Sequence, residues 1–382
     1  MKKKVLIFAP FFTPSVKGGG PIVSTKNLVE NLSSDLDFYI CTSDRDLGDS
    51  KPFSNINNDI WMNVGNAKVR YLNRKDLNLA KVIEIMKLEE FDHFYLNSFF
   101  DFHFSILPVI AKRISNRIKG TIVLAPRGEF SPGALSLKAT KKRLYINFFK
   151  NLGFSKSISW HATADTEKNH IEKIMGNQTR IKVASNLTAN YSHLDYSKKL
   201  IKNSNECKFI FISRIHPMKN LLGALTYLKN VKGNVLFSIY GPIEDDEYWT
   251  ECQMYIKKLP SNVKVVYKGI LKHFEIFEKF QENHFFLLPT YGENFGHVIS
   301  EALVGGCPVI ISDQTPWLQL EEKNVGWDIA LGEKDRFISA INEAIKMSNE
   351  DYQIISHKAF EYGKEKSTNK DSIMKTLSLF EI

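Results

Sequence analysis

Cysteine is scarce and scattered in this chain. Cys41, Cys207, Cys252 and Cys307 lie far apart and form no CxxC pair. That spacing excludes a disulfide framework and a cysteine zinc site, and it fits a reducing, cytoplasmic setting. Long apolar runs are missing too: none approaches the ~18–20 residues of a membrane-spanning helix. The run at 5–9, after three lysines, is too short for a secretory signal. It leads into Thr13-Pro14-Ser15 and Gly18-Gly19-Gly20 rather than a cleavage pattern, and it reads as a buried first strand. Low-complexity tracts and short-period repeats are absent. Acidic residues thin out in one region, where positions 112–182 carry 15 Lys+Arg against 4 Asp+Glu. A local positive field of that size attracts phosphates, anionic lipid or other polyanions.

What is present describes an ordinary globular chain. Its 382 residues suffice for two domains, and 43% hydrophobic with 24% charged residues supports sizeable cores. Strand-like runs at 5–9, 38–42, 93–97, 121–125 and 157–161 alternate with helical segments. The pattern lapses into polar sequence around 184–206, then restarts with strands at 208–213, 235–240, 263–267, 285–288 and 309–311. Alternation of this kind predicts α/β architecture: two Rossmann-like, doubly wound parallel sheets. We expect a first domain over 1–190, a connector over 191–205 and a second domain over 206–364. A final helix at about 365–382 is expected to pack back on the first domain. Ligands of such sheets bind beyond the carboxyl ends of the strands.

Two segments of the second half carry chemistry at those strand ends. Glu293-Asn294-Phe295-Gly296 follows the strand at 285–288 and opens a helix that contains Glu301. A rise of ~1.5 Å per residue sets the two carboxylates on the order of 10 Å apart, and free amides at the helix start suit a phosphate or sugar hydroxyls. Glu293 can equally be a first-turn carboxylate that satisfies the helix dipole. The second segment, Ser213-Arg214-Ile215-His216-Pro217-Met218-Lys219, follows the strand at 208–213. Cations fixed there stabilise charge that grows on a leaving diphosphate. Gly241 ends the next strand and joins the candidate donor-binding set.

The order and spacing of Arg214, Lys219, Glu293 and Glu301 resemble family 4 retaining glycosyltransferases, whose signature is two glutamates separated by seven residues. The resemblance covers the second half and implies the GT-B fold, two Rossmann-like domains with a cleft between them. It implies that Arg214 and Lys219 hold the donor diphosphate, Glu293 the transferred sugar and Glu301 the ribose. The amides of Asn294, Phe295 and Gly296 would touch sugar or phosphate. Ser213 stands where the family often has glycine. The implied reaction moves a sugar from a UDP- or GDP-sugar to a glycan or lipid-linked acceptor in bacterial surface polysaccharide synthesis. A GT-B nucleotide-sugar epimerase, or a non-catalytic basic protein that binds polyanions or membrane, are the rival readings; no nucleic-acid motif is present.

The first half offers weaker signals. Gly19 and Gly20 sit in a glycine loop after the first strand, and the resemblance makes this loop one that closes over substrates. Arg127 and Glu129, in Ala125-Pro126-Arg127-Gly128-Glu129, end another strand; they read either as acceptor-side ligands or as an internal pair. His161 ends the next strand and reads either as an acceptor-side group or as an interior histidine. Asp44-Arg45-Asp46 is a DxD, the metal-holding pair of single-Rossmann transferases. With cations already supplied by Arg214 and Lys219, we expect a loop here and no obligatory metal. Residues 137–152 combine lysines and arginine with apolar residues at helical spacing. This helix is either an ordinary core helix or one that rests on anionic membrane, at the inner face of the cell membrane.

Overall fold

The computed structural model describes residues 2–136, 139–177, 179–196, 200–367 and 369–382. The chain divides into two compact units, Met1–Ala189 with Asn369–Ile382, and Asn190–Thr368.

The first unit is built on eight strands: β1 (Lys3–Phe8), β2 (Leu36–Ser43), β3 (Trp61–Val64), β4 (Ala67–Leu72), β5 (His93–Leu96), β6 (Thr121–Leu124), β7 (Ile158–Ala162) and β8 (Arg180–Val183). Their order is β3-β4-β2-β1-β5-β6-β7-β8, and every pairing is parallel except β3 with β4. Helices α1 (Gly20–Leu32), α2 (Leu79–Lys87), α3 (Leu107–Ile114), α4 (Pro132–Ser136), α5 (Ala139–Asn151) and α6 (Asp165–Met175) connect them. The continuous apolar run of β1 follows from covering on both faces. Leu6 and Phe8 enter one core, with Phe94, Leu124 and Trp160. Val5 and Ile7 enter the other, with Leu28, Tyr95 and Val123.

The second unit holds β9 (Glu206–Ile212), β10 (Asn234–Tyr240), β11 (Val263–Tyr267), β12 (Phe285–Leu288), β13 (Val309–Ser312) and β14 (Gly326–Ile329), with α7 (Leu221–Leu228), α8 (Asp246–Ile256), α9 (His273–Gln281), α10 (His297–Val304), α11 (Lys334–Lys346) and α12 (Asn349–Ser367). All pairings are parallel, in the order β11-β10-β9-β12-β13-β14. Strand order reverses between β9 and β12, and in the first unit between β1 and β5. At such switch points the loops beyond the strand ends splay apart and leave a crevice.

Two details differ from expectation. The described residues of 191–205 make bonds to the second unit. The buried Lys202 ammonium donates to the carbonyls of Ile345 and Met347, both at 2.9 Å, where α11 ends. Tyr196 donates its hydroxyl to Ser356 Oγ at 3.1 Å. Orphan helix-end carbonyls take up a positive charge well, and that ties the segment to the second unit. The tail is also two helices rather than one. Helix α12 stays in the second unit, and α13 (Lys370–Ser378), capped by Asn369, returns Leu377, Leu379 and Phe380 to the core of the first.

Candidate active site

In the second unit, the loops after β9 and β12 meet at the switch point. Asn220, left-handed at φ 55°, accepts from Gly223 N to cap α7 and donates to the Pro289 carbonyl at 2.8 Å. The Met218 carbonyl accepts from Tyr291 N at 2.8 Å and from Thr290 Oγ1 at 3.0 Å. These bonds lock one loop to the other and bring Lys219 Nζ within 2.6 Å of Glu293 Oε1. The two side chains are only 10% and 15% exposed. Taking both charges from water costs more than an exposed pair repays, so the pairing holds a geometry more than it holds the fold. Glu293 Oε2 has no donor among the described residues.

Beside this pair, Gly296 caps α10 at φ 76°, and an added Cβ would stand 2.8 Å from Ile299 Cδ1. The backbone N–H groups of Asn294, Phe295 and Gly296 have no acceptor among the described residues. Helix starts leave such amides for a ligand. Trp317 Nε1 donates to the Phe295 carbonyl at 2.6 Å and packs its ring 5.7 Å from that of Phe295, which fixes the turn. Glu301 lies in the second turn of α10 and is 9% exposed. Trp317 was not among the expected site residues. It follows β13, outside either charged motif, and its position after a strand end was the available signal.

Arg214 shares the β9 loop with Lys219, and its Nη1 pairs with Glu244 Oε2 at 2.6 Å; both are about two-fifths exposed. Pairs this open hold little energy, so the guanidinium is free to be recruited. Gly241 has a different part from the one expected. Its N–H donates to the Gly269 carbonyl at 2.8 Å and its carbonyl accepts from Tyr267. Its φ is 138°, and a Cβ there would meet Ser213 O at 1.9 Å. Gly241 therefore lets the Arg214 loop pass close, with no amide left over for a donor.

In the first unit, Gly19 caps α1 at φ 68°, and Gly20 begins the helix in open space. The approach to this loop is tied down by Asp46, which accepts from Ser15 Oγ, Val16 N, Lys17 N and Leu47 N. Burial opposes the Asp46 charge, yet these bonds outweigh it and hold the carboxyl below its usual pKa. Asp44 accepts from Arg45 and Asn58 Nδ2. Both DxD carboxylates are thus engaged by the protein.

Arg127 and Glu129 do not pair with each other. Arg127, itself left-handed at φ 55°, donates to Asn97 Oδ1 (2.6 Å), Tyr95 Oη (2.9 Å) and Asn186 Oδ1. Every one of these partners is neutral. Asn97 then donates to Thr25 Oγ1 in α1 at 2.9 Å. Asn97, Tyr95 and Asn186 went unnoticed in the sequence because neutral residues at strand ends carry no charge signal. Glu129 accepts from Ser98 Oγ and from the amides of Phe99 and Phe100, and burial still pushes its pKa up. Its job in the fold is to shape the turn after β5.

His161 is an interior histidine. Its Nε2 faces the Ala184 carbonyl at 2.8 Å and so must carry the proton, while Nδ1 accepts from Tyr95 Oη at 2.8 Å. Burial, then the Arg127 charge, lowers its pKa to about 3. Between the ordinary value of 6.5 and about 3, the unfolded chain binds a proton that the folded one refuses. Stability is therefore complete above pH 6.5 and is lost as pH falls through that window, by roughly 3–5 kcal/mol at full development. Urea melts at pH 7 and pH 4.5 should show roughly 2–3 kcal/mol of this loss, and His161→Gln should flatten it.

Helix α5 serves two faces. Phe149 is buried and Tyr145 packs beside it, whereas Leu144, Phe148 and Leu152 are 67%, 52% and 45% exposed. Leu137 and Lys138, the start of the stretch read from the sequence, lie outside the described residues.

Residues 193–362, nearly the whole second unit, match the family described as glycosyl transferases group 1. No curated protein matches the chain. Among solved structures, Anabaena HepE in complex with UDP-glucose superposes with a TM-score of 0.71 at 17% identity, covering 99% of this chain and 98% of its own. Sucrose-phosphate synthase from Thermosynechococcus elongatus gives 0.69 at 14% identity, covering 100% and 98%. The lipopolysaccharide outer core galactosyltransferase WaaB gives 0.58 at 15% identity, covering 97% and 99%. The chain has the GT-B fold. The matched segment spans the β9 loop, the β12 loop and α10, so the Lys219–Glu293 pair falls inside it.

Proposed function

We propose that the enzyme transfers a sugar from a nucleotide-sugar to a glycan or lipid-linked acceptor, with retention at the anomeric carbon, in bacterial surface polysaccharide synthesis. The observation that carries this reading is the shielded Lys219–Glu293 pair, set between two interlocked loops beside unpaired amides. Lys219 and the recruited Arg214 would hold the diphosphate, Glu293 Oε2 a sugar hydroxyl and Glu301 the ribose. HepE was solved with UDP and glucose and with UDP-glucose, which favours a UDP-sugar over a GDP-sugar. The bond from the anomeric carbon to the phosphate oxygen breaks, and UDP leaves with the electron pair. The acceptor oxygen bonds to the same carbon and its proton passes to the departing phosphate. Charge builds on that phosphate in the transition state, where Lys219 and the amides act most strongly.

Arg127, with only neutral partners, is the acceptor-side cation of this reading, and Gly19 and Gly20 are its substrate-facing loop. The exposed Leu144, Phe148 and Leu152, flanked by Lys141, Arg143 and Lys150, would rest on anionic lipid at the inner face of the membrane. A thermal-shift panel of UDP-, GDP- and ADP-sugars tests the donor site. UDP-sugars should raise Tm and the rise should vanish in Lys219→Ala; equal responses to all three bases, or to none, count against the site. Transfer should also persist in EDTA, because Asp44 and Asp46 are committed to protein donors. Loss of turnover in EDTA, restored by Mg²⁺ or Mn²⁺, would contradict this.

A further inference from the structure

The first unit has an open cavity of about 410 Å³ between β2, β3, β4 and the end of α2, within the size range of small-ligand sites. Trp61, Tyr39 and Phe91 wall it, and Ile60 and Leu88 on its rim are 59% and 47% exposed. The aromatic rings brace one another. Tyr39 meets Trp61 edge-on at 5.4 Å and Phe91 at 5.2 Å, and the Arg70 guanidinium lies 5.9 Å from the Trp61 ring centre. Its lining runs from Arg70, two residues before the end of β4, back to Tyr39, four residues before the end of β2, so it lies ~7–13 Å behind the strand ends.

Its polar fringe is charged, with each carboxylate held by a cation. Arg70 pairs with Asp59 at 2.7 Å, Lys81 pairs with Asp59 at 2.9 Å and with Glu84 at 3.2 Å, and Lys4 pairs with Glu89, which also accepts from Tyr39 Oη. Among the residues that line the cavity a phosphate would meet three carboxylates, Asp59, Glu84 and Glu89, against the single Arg70, and would be repelled. A neutral polyhydroxylated ligand suits the site better. Carboxylate oxygens accept from its hydroxyls, ammonium and guanidinium groups donate to them, and the C–H face of a pyranose ring packs on an aromatic wall.

We propose that this cavity is a second carbohydrate site, holding a neutral sugar residue of the acceptor glycan away from the reacting end. The assignment of its ligand to the acceptor rests on the transferase reading above; the binding chemistry does not. The test is a microarray printed with neutral and with anionic bacterial oligosaccharides, probed with the full chain and its variants. Wild type should bind a subset of the neutral glycans. Trp61→Ala and the rim variant Ile60→Asp should each cut that signal at least tenfold, Trp61→Phe should restore part of it, and Lys219→Ala should leave it unchanged. The rim variant guards against a folding defect in Trp61→Ala, since Ile60 is mostly in solvent. Failure of wild type to bind any neutral glycan, binding confined to anionic glycans, or binding that survives both Trp61→Ala and Ile60→Asp overturns the proposal. Nucleotide-sugar-induced stabilisation of the same preparations separates the two claims. Glycan binding without a response to any nucleotide-sugar of the panel sinks the transferase reading and spares this site, whereas a nucleotide-sugar response with glycan binding indifferent to Trp61 and Ile60 does the reverse.

Discussion

Lys219→Ala should lower kcat/KM for sugar transfer by about 10²–10³, equivalent to roughly 3–4 kcal/mol of transition-state stabilisation. The size follows from where the ammonium sits. At 10% exposure it acts through a medium far less screening than water, and in the proposed reaction its value would rise as charge moves onto the leaving diphosphate. Most of the loss should appear in kcat, because the charge it meets is larger in the transition state than in the bound donor. Glu293→Gln keeps a polar group near Lys219 and should cost less in folding than in catalysis. The variant in Lys219 also strands Glu293 partly buried, so its melting temperature must be measured beside its rate. A rate loss near tenfold or below, in a folded variant, would place Lys219 outside the chemistry.

Gly241→Ala should destabilise the second unit by about 3–5 kcal/mol and lower its melting temperature by roughly 10 °C. Two independent costs add here. The backbone sits at φ 138°, which side-chain-bearing residues rarely adopt, and a Cβ would stand 1.9 Å from the Ser213 carbonyl oxygen. Relief would have to push the Arg214 loop away from β10, breaking the bond from Ile215 N to the Pro242 carbonyl at 2.8 Å. Gly332→Ala is the matched control, because nothing lies within 4 Å of its Cβ position and its φ is ordinary. Differential calorimetry on the two variants should show a large drop for one and almost none for the other.

The strands that lie inside both sheets were the most legible part of the fold. Runs such as 5–9 and 285–288 are apolar on both faces because helices cover both sides, so periodicity alone revealed them. The antiparallel pair β3–β4 was overlooked, although Gly65-Asn66 between 61–64 and 67–72 is a two-residue hairpin signal. Two edge strands, β8 and β14, are short and carry few consecutive apolar residues, so they blend into loops. At the site, charge made Lys219, Glu293 and Arg214 visible. The residues that position them were not. Asn220 as a left-handed bolt, Trp317 as a clamp on Phe295 and Asn97 as the partner of Arg127 act through hydrogen bonds across loops distant in sequence. Gly241 stands at a strand end, where the sequence suggests a ligand, and its N–H is bonded to the Gly269 carbonyl.

Equilibrium binding of UDP, with uridine as comparator, tests the central claim most directly. If Lys219 grips the diphosphate, UDP should bind wild type and lose tenfold to a hundredfold in affinity in Lys219→Ala, while uridine binds both proteins alike. UDP affinity unchanged by Lys219→Ala would contradict the account.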